Sequence, residues 1–200
     1  MNIILAISDR DLLSGYSKLL TTDGHTVSTA FDGTQAAPLL AKGPLDLAVL
    51  EAVLPRMESG RLIELFHSEG VPVILLLDER IALRHLLARQ LPEAYLSFPF
   101  LPEDLRQTVE SISRARKSDE RIRCNDIEIE VSRFRFRDSQ IPLTLQEIDL
   151  MRALNEGRRV GGKRARMTIL ALNEKLRRMG RTTRIQYELE NGYRLVNEDD

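Results

Sequence analysis

The chain has 200 residues, 42% of them apolar and 30% charged, and a net charge of −1, which suits one large folded domain or two small ones. Its longest apolar run, VPVILLL, is far short of the roughly 18 residues that a membrane span requires. A single cysteine, Cys124, excludes an internal disulfide and a cysteine-based zinc cluster. The opening MNIILAISDR enters a strand pattern with no basic leader, so a cytoplasmic protein is expected.

Strand and helix patterns alternate over residues 1–117. NIILAI, HTVSTA, LDLAVL, VPVILLL and AYLSF read as strands. Between them lie the helical stretches DLLSGYSKLLTTDG, GTQAAPLLAKG, SGRLIELFHSEG and ERIALRHLLARQ, and PEDLRQTVESISRARK follows the last strand. Gly24, Gly43 and Gly70 supply C-terminal stops, and Pro102 opens the fifth helix where its missing N–H costs nothing. Short apolar strands fit a parallel sheet covered on both faces, and five strand–helix units predict an α/β, doubly wound, five-stranded sheet. Such sheets place ligands at the carboxyl ends of their strands. In DLAVLEAVLP that address belongs to Glu51. His25, His67 and His85 stand singly on different elements and carry no metal-ligand spacing, so no metal site is predicted.

The stretch RKSDERIRC is polar and charged, and residues 118–124 read as a linker. Beyond it, residues 125–200 form a second domain. DIEIEV and FRFRD alternate with period two, as antiparallel strands do. TLQEIDLMRALNEG is an amphipathic helix capped by Thr144. KRARMTILALNEKLRRMG is a second helix, and RIQYELENGYRLV closes the chain as a hairpin turning near ENG. From Arg158 to Arg184 there are ten basic residues and one acidic residue, Glu174, an excess that suggests a polyanion partner.

The order ILAISD, DLAVLEAVLP, PVILLLD and YLSFPF resembles the receiver domain of two-component response regulators. With the closing GYRL, the whole chain resembles the OmpR/PhoB group, in which a flavodoxin/CheY-like receiver precedes a small α+β winged-helix domain that binds double-stranded DNA. A working receiver has an acidic pair that holds Mg²⁺, an aspartate that attacks phosphorus, and a Thr or Ser and a Lys that bind the phosphoryl group. Here the matching positions hold Ser8 and Asp9, Glu51, Leu77 and Phe98. Glu51 is one methylene too long for in-line attack, Leu77 supplies no hydrogen bond, and Phe98 removes the cation. The resemblance therefore implies a degenerate, phosphorylation-independent receiver, not an enzyme, with no cofactor and no small-molecule substrate. Glu51 is either a built-in negative charge or drift at a disused site. Tyr95 matches the aromatic whose rotamer reports activation. In this family the segments matching 79–90, 94–98 and 102–116 form a two-fold dimer face, which assigns Arg84, Arg89, Asp104, Arg106 and Glu110 to a homodimer contact.

In the basic helix Ala165, Ile169, Leu172, Leu176 and Met179 recur at spacings of three and four and form the expected core stripe. By resemblance this is the recognition helix and the terminal hairpin is the wing. Phosphate contacts are assigned to Arg158, Arg159, Lys163, Arg164, Arg166 and Arg178, and base contacts to Thr168, Lys175 and Asn173. Only GRRVGGKRAR lies where the family has a further helix, and Gly161 and Gly162 favour a loop there. The reading is thus a dimeric DNA-binding transcriptional regulator. The alternative is an interaction module that binds a protein partner, RNA polymerase among them, through the receiver or the shortened winged helix. An active phospho-switch is the third reading.

Overall fold

The computed structural model describes residues 1–78, 92–139, 141–161, 163–188 and 192–197. The chain divides into two units, Met1–Glu110 and Ser111–Asp200. In the first, β1 (Asn2–Ala6), β2 (Thr26–Ala30), β3 (Leu47–Glu51), β4 (Val73–Asp78) and β5 (Ala94–Phe98) make one sheet in the order β2-β1-β3-β4-β5. All pairings are parallel: Ile4 lies opposite Ser28 and Ala48, and Leu75 opposite Leu50 and Tyr95. Ile3, Ile4, Leu5, Leu50, Ile74 and Leu75 are all fully buried, because β1, β3 and β4 are covered on both faces. The edge strand β2 instead exposes Thr26, Ser28 and Thr29, as the polar side of an edge should.

Helix α1 (Arg10–Thr22) buries Leu13, Tyr16 and Leu20, three residues on one helical face. The helix expected over GTQAAPLLAKG is split into α2 (Gly33–Ala36) and a 3-10 turn, Ala37–Lys42. Pro38 has no N–H with which to continue an α-helical ladder. Gly33 donates its N–H to the Pro55 carbonyl at 3.1 Å. A side chain there would collide with Met57, so this close approach requires glycine. Helix α3 (Ser59–Ser68) buries Leu62, Ile63 and Phe66 completely, worth about 1.5–3 kcal/mol apiece. Helix α4 (Pro102–Arg116) carries Glu103 and Asp104 in its first turn and Arg114 and Arg116 in its last, signs that suit the helix dipole. The helix expected over 79–90 lies outside the described residues.

In the second unit β6 (Arg121–Cys124), β7 (Ile127–Glu130) and β8 (Arg135–Phe136) form an antiparallel sheet in that order. Residues 121–124, read as part of a linker, are therefore a strand. Ile122 and Cys124 are buried while Arg121 and Arg123 are exposed, an alternation hidden by the polar composition around it. Helix α5 (Leu145–Asn155) starts on a capping box: the Glu147 N–H donates to Thr144 Oγ1 at 3.2 Å, and the Thr144 N–H donates to Glu147 Oε2 at 2.7 Å. Helix α6 (Lys163–Arg178) follows, then a hairpin of β9 (Thr183–Glu188) and β10 (Gly192–Asn197). Between α5 and α6 none of the described residues 156–161 is helical. Gly192 has φ +79°, and a Cβ on it would lie 3.2 Å from the Val160 carbonyl, so the loop is seated against the hairpin.

Candidate functional site

The parallel sheet delivers Ser8, Glu51, Leu77 and Phe98 at or just past the carboxyl ends of β1, β3, β4 and β5, the edge where α/β folds place ligands. Glu51 Oε2 accepts two hydrogen bonds from Ser8, one from its N–H and one from its Oγ–H, each at 2.7 Å. The adjacency of β1 and β3 makes this contact. Asp9 is the N-cap of α1: its Oδ1 accepts from the N–H groups of Asp11 and Leu12, both at 2.9 Å. The carboxylate that remains of the expected acidic pair is thus committed to capping a helix.

Leu77 is 3% exposed and belongs to the hydrophobic core with Leu50, Ala52 and Leu75. The half-buried Tyr95 packs against this same cluster. The Phe98 ring lies 4.8 Å from Phe100, and Phe100 stacks on Tyr16 at 5.5 Å. Burial pushes the Tyr16 hydroxyl above its ordinary pKa. Three aromatic rings, Tyr16, Phe100 and Phe98, therefore pack in a row at the end of β5. Asp32, missed in the sequence, is buried two residues past the end of β2. It accepts from Thr34 Oγ1 at 2.7 Å and lies 3.6 Å from Arg56. The Thr34 hydroxyl, more than Arg56, holds its carboxyl below the usual aspartate range. Its sequence signal was an aspartate directly before a short helix, as in FDGTQA.

Among the residues assigned to a dimer face, Arg84 and Arg89 lie outside the described residues. Arg106 Nε donates to Asp23 Oδ2 at 2.6 Å, and Asp104 Oδ2 accepts from the Leu101 N–H at 2.7 Å, so both are engaged within their own unit. Glu110 is exposed.

The basic helix α6 is turned relative to the expected stripe. Ile169, Leu172 and Leu176 are buried as predicted, but Thr168 and Lys175 are each 6% exposed and buried with them. Lys175 Nζ donates to Glu147 Oε2 at 2.6 Å and to the Pro142 carbonyl at 2.9 Å. It is a core cation and not a base reader. Asn173 is also engaged inside the unit. Its amide donates to the Ile185 carbonyl and accepts from the Ile185 N–H, both at 2.9 Å, which pins β9 to the helix. The solvent face instead shows Arg166, Leu170, Arg177 and Arg178. Glu174 takes two bonds from Arg177 at 3.0 Å and one from Arg178 at 3.1 Å. Arg177 first, then Arg178, hold its carboxyl below the ordinary glutamate range. Arg158 pairs with Glu156 at 2.7 Å, and Arg159 is exposed on the same loop. The side chains of Lys163 and Arg164 lie outside the described residues.

A five-stranded parallel sheet in this order fits the CheY-like receiver fold. The chain is similar to the Escherichia coli K12 transcriptional regulatory protein CpxR, with 32% identity over 126 residues that cover 62% of this chain and 54% of CpxR. It is 28% identical to the DNA-binding response regulator MtrA of Mycolicibacterium paratuberculosis over 160 residues, 76% of this chain and 70% of MtrA. The chain spans about half the length of CpxR and of the response regulator MprA of Mycobacterium leprae. Among solved structures, a cysteine-to-aspartate mutant of RitR shares the fold over 98% of this chain and 99% of its own, with a TM-score of 0.64 at 19% identity. A two-component response regulator from Clostridium difficile matches 59% of this chain and 99% of its own, with a TM-score of 0.53 at 20% identity. No family model matches the chain. Among the described residues no helix is long and apolar enough to cross a membrane.

Proposed function

We propose that this chain is a cytoplasmic, DNA-binding transcriptional regulator of the OmpR/PhoB type, whose pseudo-receiver acts without phosphoryl transfer and pairs with a second copy. It is not an enzyme. The observation that carries the reading is the state of the strand-end site: Ser8 holds the Glu51 carboxylate, Asp9 caps a helix, Leu77 is core and Phe98 packs against Phe100. An acyl phosphate formed there would lie beside apolar side chains with neither hydroxyl nor ammonium at the matching positions. The second unit, with its capped helix, basic helix and terminal hairpin, serves as a shortened winged helix. Exposed Arg158, Arg159 and Arg166 make its phosphate contacts.

The test uses the full chain. With acetyl phosphate and Mg²⁺ its intact mass should stay unchanged, and its affinity for its own promoter should be the same with and without that treatment. A mass gain of one phosphoryl group, with tighter DNA binding, would overturn the reading. Sedimentation should report a dimer in both conditions.

One observation favours the interaction module instead. Leu170 is 57% exposed in the middle of the outward face of α6, beside two arginines already paired to Glu174. Such a face suits a protein partner such as RNA polymerase. Equal, weak binding to promoter and scrambled DNA across a salt series would select that reading. A preference of a thousandfold or so for the promoter at about 150 mM salt would reject it.

A further inference from the structure

The sheet of the second unit has one apolar face and one wholly charged face. Ile122, Cys124, Ile127, Ile129 and Phe136 are buried, so the residues alternating with them point outward. The register writes two rows across that outer face. In one, Glu130 of the central strand lies between Arg121 and Arg135. In the other, Glu128 lies between Arg123 and Arg137. Arg137 donates to Glu128 Oε2 at 2.7 Å, while Arg123 and Arg121 stand 3.5 and 3.7 Å from Oε1. Arg133 and Arg135 stand 3.1 and 3.7 Å from Glu130 Oε2. Five guanidiniums thus surround two carboxylates, with Asp138 also acting on Arg137.

A sheet that needed only cross-strand ion pairs would balance its signs, because like charges brought together destabilise it. Here each carboxylate side chain is 16% exposed, whereas those of Arg123 and Arg133 are 70% and 62% exposed. The carboxylates act as anchors that hold planar donor groups outward. On α6, by contrast, Glu174 is shared by two of the exposed arginines.

We propose that the outer face of the β6–β8 sheet binds the phosphate backbone of duplex DNA, as a contact surface separate from α6. The inference rests on the DNA-binding reading above and assigns it a further site. Arginines two residues apart on a strand are about 7 Å apart along it, so the face presents a repeating row of guanidinium forks, and such forks bond phosphate oxygens in bidentate fashion. Every side chain in the two rows is charged, which suits a nucleic-acid backbone and lacks the apolar centre of a protein interface.

The test measures binding of the full chain to a mixed-sequence duplex across a salt series. Wild type is compared with Arg121→Gln/Arg123→Gln and with Arg166→Gln/Arg177→Gln, and thermal melts report folding. Each lost phosphate contact lowers the slope of log K against log salt by about 0.9; two lower it by about 1.8, or roughly sixtyfold in affinity at 0.1 M salt. The sheet variant is expected to show that loss with an unchanged melt. Arg133→Gln, which removes one exposed arginine with a partner three residues away, is expected to lose about half the slope change. It decides the matter if the double variant melts early. Wild-type slope and affinity in the folded sheet variant, with a loss in the α6 variant, would overturn this site and leave DNA binding standing. No binding by wild type at about 50 mM salt would overturn both.

Discussion

Lys175 was assigned to DNA by its sequence and is buried by the structure, so its replacement separates the two roles. Lys175→Met removes the cation from Glu147, whose side chain is 2% exposed. Among the described residues, Glu147 Oε2 would keep only its bonds from the Thr144 N–H and hydroxyl, and Oε1 already has no partner. Stranding a buried carboxylate in this way costs about 3–5 kcal/mol, against a domain stability of about 5–15 kcal/mol. Adding Glu147→Gln removes the stranded charge while leaving an amide oxygen for Thr144. That double variant should return to within about 1–2 kcal/mol of wild type, since exchanging both members of a buried pair is often nearly neutral. Urea unfolding followed by far-ultraviolet circular dichroism reads the loss. Amide exchange in α6 localises it, because the two units need not unfold together. Suppose instead that Lys175→Met unfolds at the wild-type urea concentration, keeps α6 protected and loses tenfold in DNA affinity. The ammonium would then be at the DNA, and its burial against Glu147 would be refuted.

Burial pushes the Cys124 thiol up to about 11. At pH 8 only about one thiol in a thousand is then ionised, and iodoacetamide should modify the native chain at least a hundredfold more slowly than the chain in urea; equal rates by intact mass would count against a buried thiol. Asn173→Ala should cost about 1–3 kcal/mol and speed exchange of the Ile185 amide, because both backbone groups of Ile185 lose their partner. A change in adenine preference with stability intact would restore the base-reading role. The Arg137 hydrogen bond, ahead of the nearby charges, holds the Glu128 carboxyl below the ordinary glutamate range. Its contribution to stability is therefore fully present above the ordinary glutamate pKa and is lost as pH falls through the lowered folded value. Arg137→Gln should raise the Glu128 titration midpoint seen by NMR, and an unmoved midpoint would refute the pairing.

Much of the fold was legible because its signals are local. Buried parallel strands write apolar runs, and all five strands of the first sheet lie within one or two residues of their sequence patterns. The Thr144 cap is a motif four residues long. Strand β6 was not legible, because a four-residue alternation inside a charged stretch has the same composition as a linker. The three positions on α6 assigned to base contacts, Thr168, Asn173 and Lys175, are instead buried or bonded within the unit. The partners of Lys175 lie 28 and 33 residues away, and that of Asn173 lies 12 residues away on a strand. A helical wheel places a lysine or asparagine outward because it cannot see the acceptor that makes burial tolerable.

The strand-end site divides in the same way. The strand ending alone pointed to Glu51, and the resemblance to receiver domains added Leu77 and Phe98, since the carboxyl ends of parallel strands must gather at one edge. Only the tertiary structure decided that Ser8, 43 residues from Glu51, takes its carboxylate, and that Asp9 turns away to cap α1. The charged face of the β6–β8 sheet follows the same rule. The arginines and glutamates were countable in the sequence, but their two rows exist only once the strands pair in register, because alternation assigns a face and pairing assigns the neighbours.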